Sequence, residues 1–65
     1  MTVTINDAAF ELPGGTTLLD ALSLYSPYGG EPVIALRNGV RAAPGDDPVL
    51  SDGDEIAVYP LLIGG

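Results

Sequence analysis

The chain contains no cysteine, no histidine and no tryptophan, and its only two basic side chains are Arg37 and Arg41, so lysine is missing as well. Each absence closes a class of chemistry. Without cysteine there are no disulfides, thiolate nucleophiles or iron–sulfur ligands. Without histidine there is no imidazole base and no ordinary zinc site. Without lysine there is no Schiff base and no phosphate-loop ammonium. No apolar run approaches the ~20 residues of a membrane-spanning helix. The opening Met1-Thr2-Val3-Thr4-Ile5 lacks the basic start and apolar block of a secretion signal. The expected location is the cytoplasm, with which the lack of cysteine is compatible.

What remains is a short, acidic chain with enough apolar residues to fold. At 65 residues it holds a single small domain, because a second core would not fit. Nine acids against two bases give a formal charge of −7, which repels nucleic acid and anionic membrane surfaces and favours a basic protein surface as partner. Apolar residues make up 46%, the share of a globular domain and not of a disordered acidic tail.

Thr2 to Ile5 alternates polar and β-branched residues, which predicts a strand with Val3 and Ile5 on one buried face. Asn6-Asp7-Ala8 reads as a turn. Phe10 and Leu12 straddle Glu11 with the same period, predicting a second strand and an N-terminal hairpin that Pro13-Gly14-Gly15 ends. The period then changes. Leu18, Ala21, Leu22 and Tyr25 fall at helical spacing, the stripe of one helix of about nine or ten residues lying on a core. Thr17 before it and Asp20 within its first turn make a capping-box-like pair, and Ser26-Pro27 with Gly29-Gly30 stop it.

Val33-Ile34-Ala35-Leu36 predicts a third strand, and Asn38-Gly39 a tight turn into Val40 and Arg41. That strand does not alternate, and one helix covers only one side of a sheet. The apolar set Val33, Ile34, Ala35, Leu36, Ala57 and Tyr59 is therefore the candidate partner-docking surface. Which of these residues point outward depends on strand register. Ala42 to Asp54 is an excursion rich in Pro, Gly and Asp, with Val49-Leu50 its expected anchor in the core. Ile56 and Val58 alternate in a last strand from Glu55 to Tyr59, and Pro60 is expected to end regular pairing. The expected fold is α+β: a mixed four- to five-stranded sheet with one helix across one face, formed by residues 1–60. Residues 61–65 are expected to be a flexible tail, Leu61-Leu62-Ile63-Gly64-Gly65.

Gly64-Gly65 is the strongest chemical signal. Glycine has no Cβ, so a Gly-Gly tail threads a narrow channel and presents its carboxylate to a reagent. A carboxylate is a poor acyl donor until a nucleotide phosphate converts it to a mixed anhydride that sulfur or an amine can displace. Other groups point to blander roles. Gly14-Gly15-Thr16-Thr17 has exposed amides for an anion but no phosphate-loop lysine, and reads as a turn plus helix cap. Asp46, Asp47, Asp52, Asp54 and Glu55 lack the spacing of a calcium loop and read as a solvated acidic stretch. Arg37 and Arg41 are the only candidates for pairing with a phosphate or carboxylate, and are expected to be solvated hairpin charges.

The ordered set of segments resembles the ubiquitin-like β-grasp sulfur carriers, the ThiS/MoaD-type proteins of thiamine-thiazole and molybdopterin synthesis. The resemblance covers essentially the whole chain. It rests on Gly15-Thr16-Thr17-Leu18-Leu19-Asp20-Ala21-Leu22, on Ala35-Leu36-Arg37-Asn38-Gly39, on Leu50-Ser51-Asp52-Gly53-Asp54-Glu55-Ile56 and on Gly64-Gly65. It implies a ubiquitin-like β-grasp and a carrier that is not itself an enzyme and binds no cofactor. A ubiquitin-activating-type adenylating enzyme would use ATP to form an acyl-adenylate on Gly65, and a sulfur donor protein would convert this to a thiocarboxylate. Gly64, Ile63, Leu62, Leu61 and Pro60 would be the tail that the enzyme recognises. The acceptor would be a thiazole synthase or the large subunit of molybdopterin synthase. The short chain favours the thiazole branch slightly, while Tyr59-Pro60 fits the molybdopterin type as readily. Two rival readings share the fold: a ubiquitin-like modifier attached to lysines of other proteins, and a noncovalent β-grasp binding module.

Overall fold

The computed structural model describes residues 1–42 and 45–61. Strands β1 (Thr2–Ile5) and β2 (Ala8–Glu11) form an antiparallel hairpin whose two-residue turn, Asn6 and Asp7, has φ of 49° and 69°. That is the left-handed turn whose twist matches the flanking strands, and asparagine and aspartate tolerate it better than most residues. Leu12 lies just beyond β2, continues its alternation into the core, and donates its amide to the Met1 carbonyl at 2.8 Å. Helix α1 spans Leu18–Tyr25 and buries Leu18 and Ala21. Tyr25, at its exposed end, stacks on Phe10 with ring centroids 4.4 Å apart.

The remaining strands are β3 (Val33–Arg37), β4 (Val40–Arg41) and β5 (Glu55–Pro60). The sheet order is β2-β1-β5-β3-β4, with β1 and β5 parallel and the other pairs antiparallel. The first and last strands are thus neighbours at the centre, and the helix connects the two outer hairpins. This is the ubiquitin-like β-grasp. The apolar core lies between α1 and one face of the sheet: Val3, Ile5, Leu12, Leu18, Ala21, Ala35, Leu50, Ile56 and Val58. Among the described residues no helix is long and apolar enough to cross a membrane.

Two local expectations change. Leu50 alone anchors the 45–54 excursion, because Val49 forms a single bridge with Thr17 and leaves its own side chain 56% exposed. Pro60 does not end the pairing but sits opposite Val33 inside β5. At that end of the β3–β5 ladder the bond runs from the Leu61 amide to the Pro32 carbonyl at 3.0 Å. The missing Pro60 N–H would have pointed away from β3, past the end of β1, so its absence costs no ladder bond.

Candidate functional site

Register divides the predicted docking residues between two faces. Val33 and Ala35 lie on the face under the helix, where Ala35 is part of the core and Val33 packs against it. Ala35 is buried there and Val33 half-buried. Ile34 pairs with Tyr59 and Leu36 with Ala57 on the opposite face. There Ile34, Leu36 and Ala57 are half-buried by their neighbours, and Tyr59 is 53% exposed. The reason for the split is the strict alternation of a strand, which a run of four apolar residues conceals.

The same register adds charged residues that the apolar pattern did not single out. Arg41 pairs with Leu36 and so flanks the apolar group on the β4 side. Glu55 pairs with Thr4, and Thr2 with Glu11, on the β1–β2 side of the same face. The Thr2 hydroxyl donates to the Glu11 carboxylate. The open face is therefore an apolar centre with one cation at one flank and two carboxylates towards the other. The alternation of Ile56 and Val58 against Ala57 and Tyr59 was the sequence signal that could have found it.

Tyr59 and the beginning of the tail are continuous with this face. Pro60 is held in β5, and Leu61 is tied to Pro32 and remains 45% exposed. The other predicted tail residues, Leu62, Ile63 and Gly64, and the predicted acyl-transfer residue Gly65 lie outside the described residues.

Arg37 is not a solvated hairpin charge. Its Nε donates to Asp54 Oδ2 at 2.9 Å, and its terminal nitrogen donates to the Val49 carbonyl at 3.3 Å. Asp54 is the one buried charged residue among those described, with its side chain 8% exposed. It also accepts from the Ser51 amide at 2.8 Å and from Asn38 Nδ2 at 3.0 Å. Burial pushes the Asp54 carboxyl up, but the Ser51 amide, the Asn38 carboxamide and the Arg37 guanidinium together outweigh it and hold the group below its ordinary value. These contacts fix the entry to β5. Asn6 fixes the same strand further along, its carboxamide accepting from the Val58 amide at 2.7 Å and donating to the Val58 carbonyl at 3.0 Å.

The segment before α1 is a cap and not an anion site. The Leu18 amide meets the Pro48 carbonyl at 2.9 Å, the Leu19 amide meets Asp47 Oδ1 at 2.9 Å, and the Asp20 amide meets the Thr17 hydroxyl at 3.2 Å. The amides of the first helical turn, Leu18, Leu19 and Asp20, are thereby occupied. Thr17 caps as expected, while the carboxylate at this end comes from distant Asp47. Asp52 is likewise engaged, accepting from the Thr2 amide at 2.7 Å. Three of the five acids read as a solvated stretch thus hold backbone in place, and among the described residues no three acids converge on a cation site. In comparisons with known proteins, the chain matches no family model and no curated sequence.

Proposed function

We propose that this chain is a ubiquitin-like sulfur carrier. A ubiquitin-activating-type enzyme binds the open sheet face and takes the tail into its nucleotide site. There the Gly65 carboxylate attacks the α-phosphorus of ATP and expels pyrophosphate. Hydrosulfide delivered by a donor protein then attacks the acyl carbon, expels AMP, loses its proton and leaves a thiocarboxylate. The charged carrier passes that sulfur to a synthase of cofactor biosynthesis, with thiamine thiazole assembly preferred to molybdopterin. In this scheme the chain is a co-substrate whose side chains supply recognition.

The observation that carries the reading is continuity. Ala57 and Tyr59 alternate along β5 and Leu61, tied to Pro32, follows its end directly, so a partner that covers the open face also holds the root of the tail. The glycines at 64 and 65 add no side chain to obstruct a narrow channel. The acidic surface, at −7 overall, favours an encounter with a basic rim around the partner's own apolar patch.

The test is intact mass spectrometry of the protein purified from its source, which also reads whether Gly65 bears a free carboxylate. The protein is incubated with ATP, a sulfur donor and source extract, beside a variant lacking Gly64 and Gly65. A mass gain equal to exchanging one oxygen for sulfur, absent in the deletion, is the expected result. No gain in an extract that charges another such carrier would reject the proposal. Conjugates on lysines that require Gly65 would then identify a modifier, and partner binding that survives the deletion would identify a noncovalent module.

A further inference from the structure

Asn38 precedes Gly39 in the two-residue turn between β3 and β4, and an asparagine followed by glycine carries latent chemistry of its own. The Gly39 amide nitrogen has no neighbouring side chain to shield it, and it can attack Asn38 Cγ. An N–Cγ bond forms, the Cγ–Nδ2 bond breaks, and the nitrogen's proton leaves with Nδ2 as ammonia. Water then opens the five-membered imide at either carbonyl, giving aspartate or isoaspartate. The reaction needs only water.

The fold holds this reaction back. Attack requires the carboxamide to swing its carbon towards the Gly39 nitrogen, and both ends of that carboxamide are held elsewhere. Oδ1 accepts from the Glu55 amide at 2.9 Å, and Nδ2 donates to Asp54 Oδ1 at 3.0 Å. The Asn38 amide itself donates to the Glu55 carbonyl at 2.8 Å. Asp54 is in turn fixed by Arg37 and Ser51, so the carboxamide cannot rotate without breaking its bonds to Glu55 and to the buried Asp54. Asn38 and Gly39, at φ of 51° and 81°, share the left-handed turn geometry that fits the register of Arg37 opposite Val40. Asn6, the only other asparagine, is followed by Asp7, whose side chain crowds the attacking nitrogen. It serves as an internal control.

We infer that Asn38 is a folding-gated deamidation site: the carboxamide is lost only when the β3–β4 turn opens, and the product cannot rebuild the native network. Aspartate at this position keeps an acceptor for the Glu55 amide. It also places a second carboxylate against Asp54 where a donor had been, and like charges at that separation repel. Isoaspartate adds a methylene to the backbone of a two-residue turn and throws β4 out of register with β3. Each excursion to the open state therefore risks a one-way mark on the hairpin that carries Leu36 and Arg41. This inference is independent of the carrier reading.

The test compares the wild-type chain, folded and in denaturing urea, at the same mildly alkaline pH. Peptide mapping with isoaspartate detection reads residues 38 and 6 over time. Conversion at Asn38 is expected to be slower in the folded chain by about tenfold or more, the factor being set by the opening equilibrium of the turn. Equal rates would overturn the gating, and faster conversion at Asn6 than at Asn38 in urea would overturn the assignment. The variant Asn38→Asp then reads the consequence. A Tm lower than wild type by about 5 °C or more is expected, and an unchanged Tm would show that the network tolerates the product.

Discussion

Replacing Asp54 with alanine tests the structural core of the site most directly. The substitution strips the Arg37 guanidinium, the Asn38 carboxamide and the Ser51 amide of their shared acceptor. Removing one partner of a buried ion pair costs ~3–5 kcal/mol. Here the Arg37 side chain is 28% exposed, so water recovers part of the loss and the expected cost is about 3 kcal/mol. A domain of this length has a total stability of about 3–10 kcal/mol, so Asp54→Ala should lower Tm by about 12–24 °C. Thermal and urea unfolding followed by far-ultraviolet circular dichroism reads this, since there is no tryptophan to report. Arg37→Ala leaves Asp54 two amide donors and should cost less, about 1–2 kcal/mol. The double variant should fall short of the sum by about 1 kcal/mol, because the two residues share one interaction. The pH dependence has a fixed sign. The folded Asp54 carboxyl is held below its ordinary value, so the ionised form contributes stability above the ordinary carboxylate range, and the contribution is lost as pH falls through the lower folded value. The gap between wild type and Asp54→Ala should be constant near neutrality and narrow in acid below about pH 4. A loss under about 1 kcal/mol, or a gap that does not narrow in acid, would refute the reasoning.

Asn6→Ala should cost about 2 kcal/mol in urea unfolding, since it removes both bonds to Val58 and puts alanine at a positive φ. A loss of less than about 0.5 kcal/mol would show that water replaces the carboxamide. Asp47→Ala removes the acceptor of the Leu19 amide and should cost about 1 kcal/mol. Hydrogen exchange should speed up in the first turn of α1 but not in β1, and uniform acceleration would contradict a local cap. Tyr59→Asp places a charge at the centre of the open face. If the chain is a carrier as proposed, the variant should abolish its charging by an activating enzyme while leaving Tm within a few degrees of wild type, and undiminished charging would reject this face as the docking surface.

The fold was legible because each element carried its own local pattern. Alternation marked β1 and β5, the helical stripe of Leu18, Ala21 and Leu22 marked α1, and Asn38-Gly39 marked a hairpin. The docking face was legible only in part. Val33 to Leu36 is apolar throughout, so the residues that point outward emerge only once β5 fixes the register. Arg37 was misread because its partner, Asp54, lies 17 residues away across a turn-rich excursion. Nothing local marks that carboxylate as buried. Asp47 and Asn6 were hidden for the same reason, with partners 28 and 52 residues distant. Asparagine at a tight turn signals a left-handed backbone, and it says nothing about a side chain completing a ladder on another strand.

The parallel pairing of β1 with β5 has a consequence for how the molecule comes into being. Its central seam joins residues near position 5 to residues near position 56, so about fifty further residues must follow β1 before the seam can close. Pairings this distant in sequence are slow to form, because the intervening loop must be closed before any contact rewards it. During synthesis the N-terminal hairpin and the helix emerge first. Val3, Ile5, Leu18 and Ala21 then wait without the Ile56 and Val58 that complete their core. In that interval the β1 edge that later receives β5 is open to any other strand. The acidic character of the chain acquires a second use there, since nascent copies repel one another until the last strand arrives and closes the sheet from the middle.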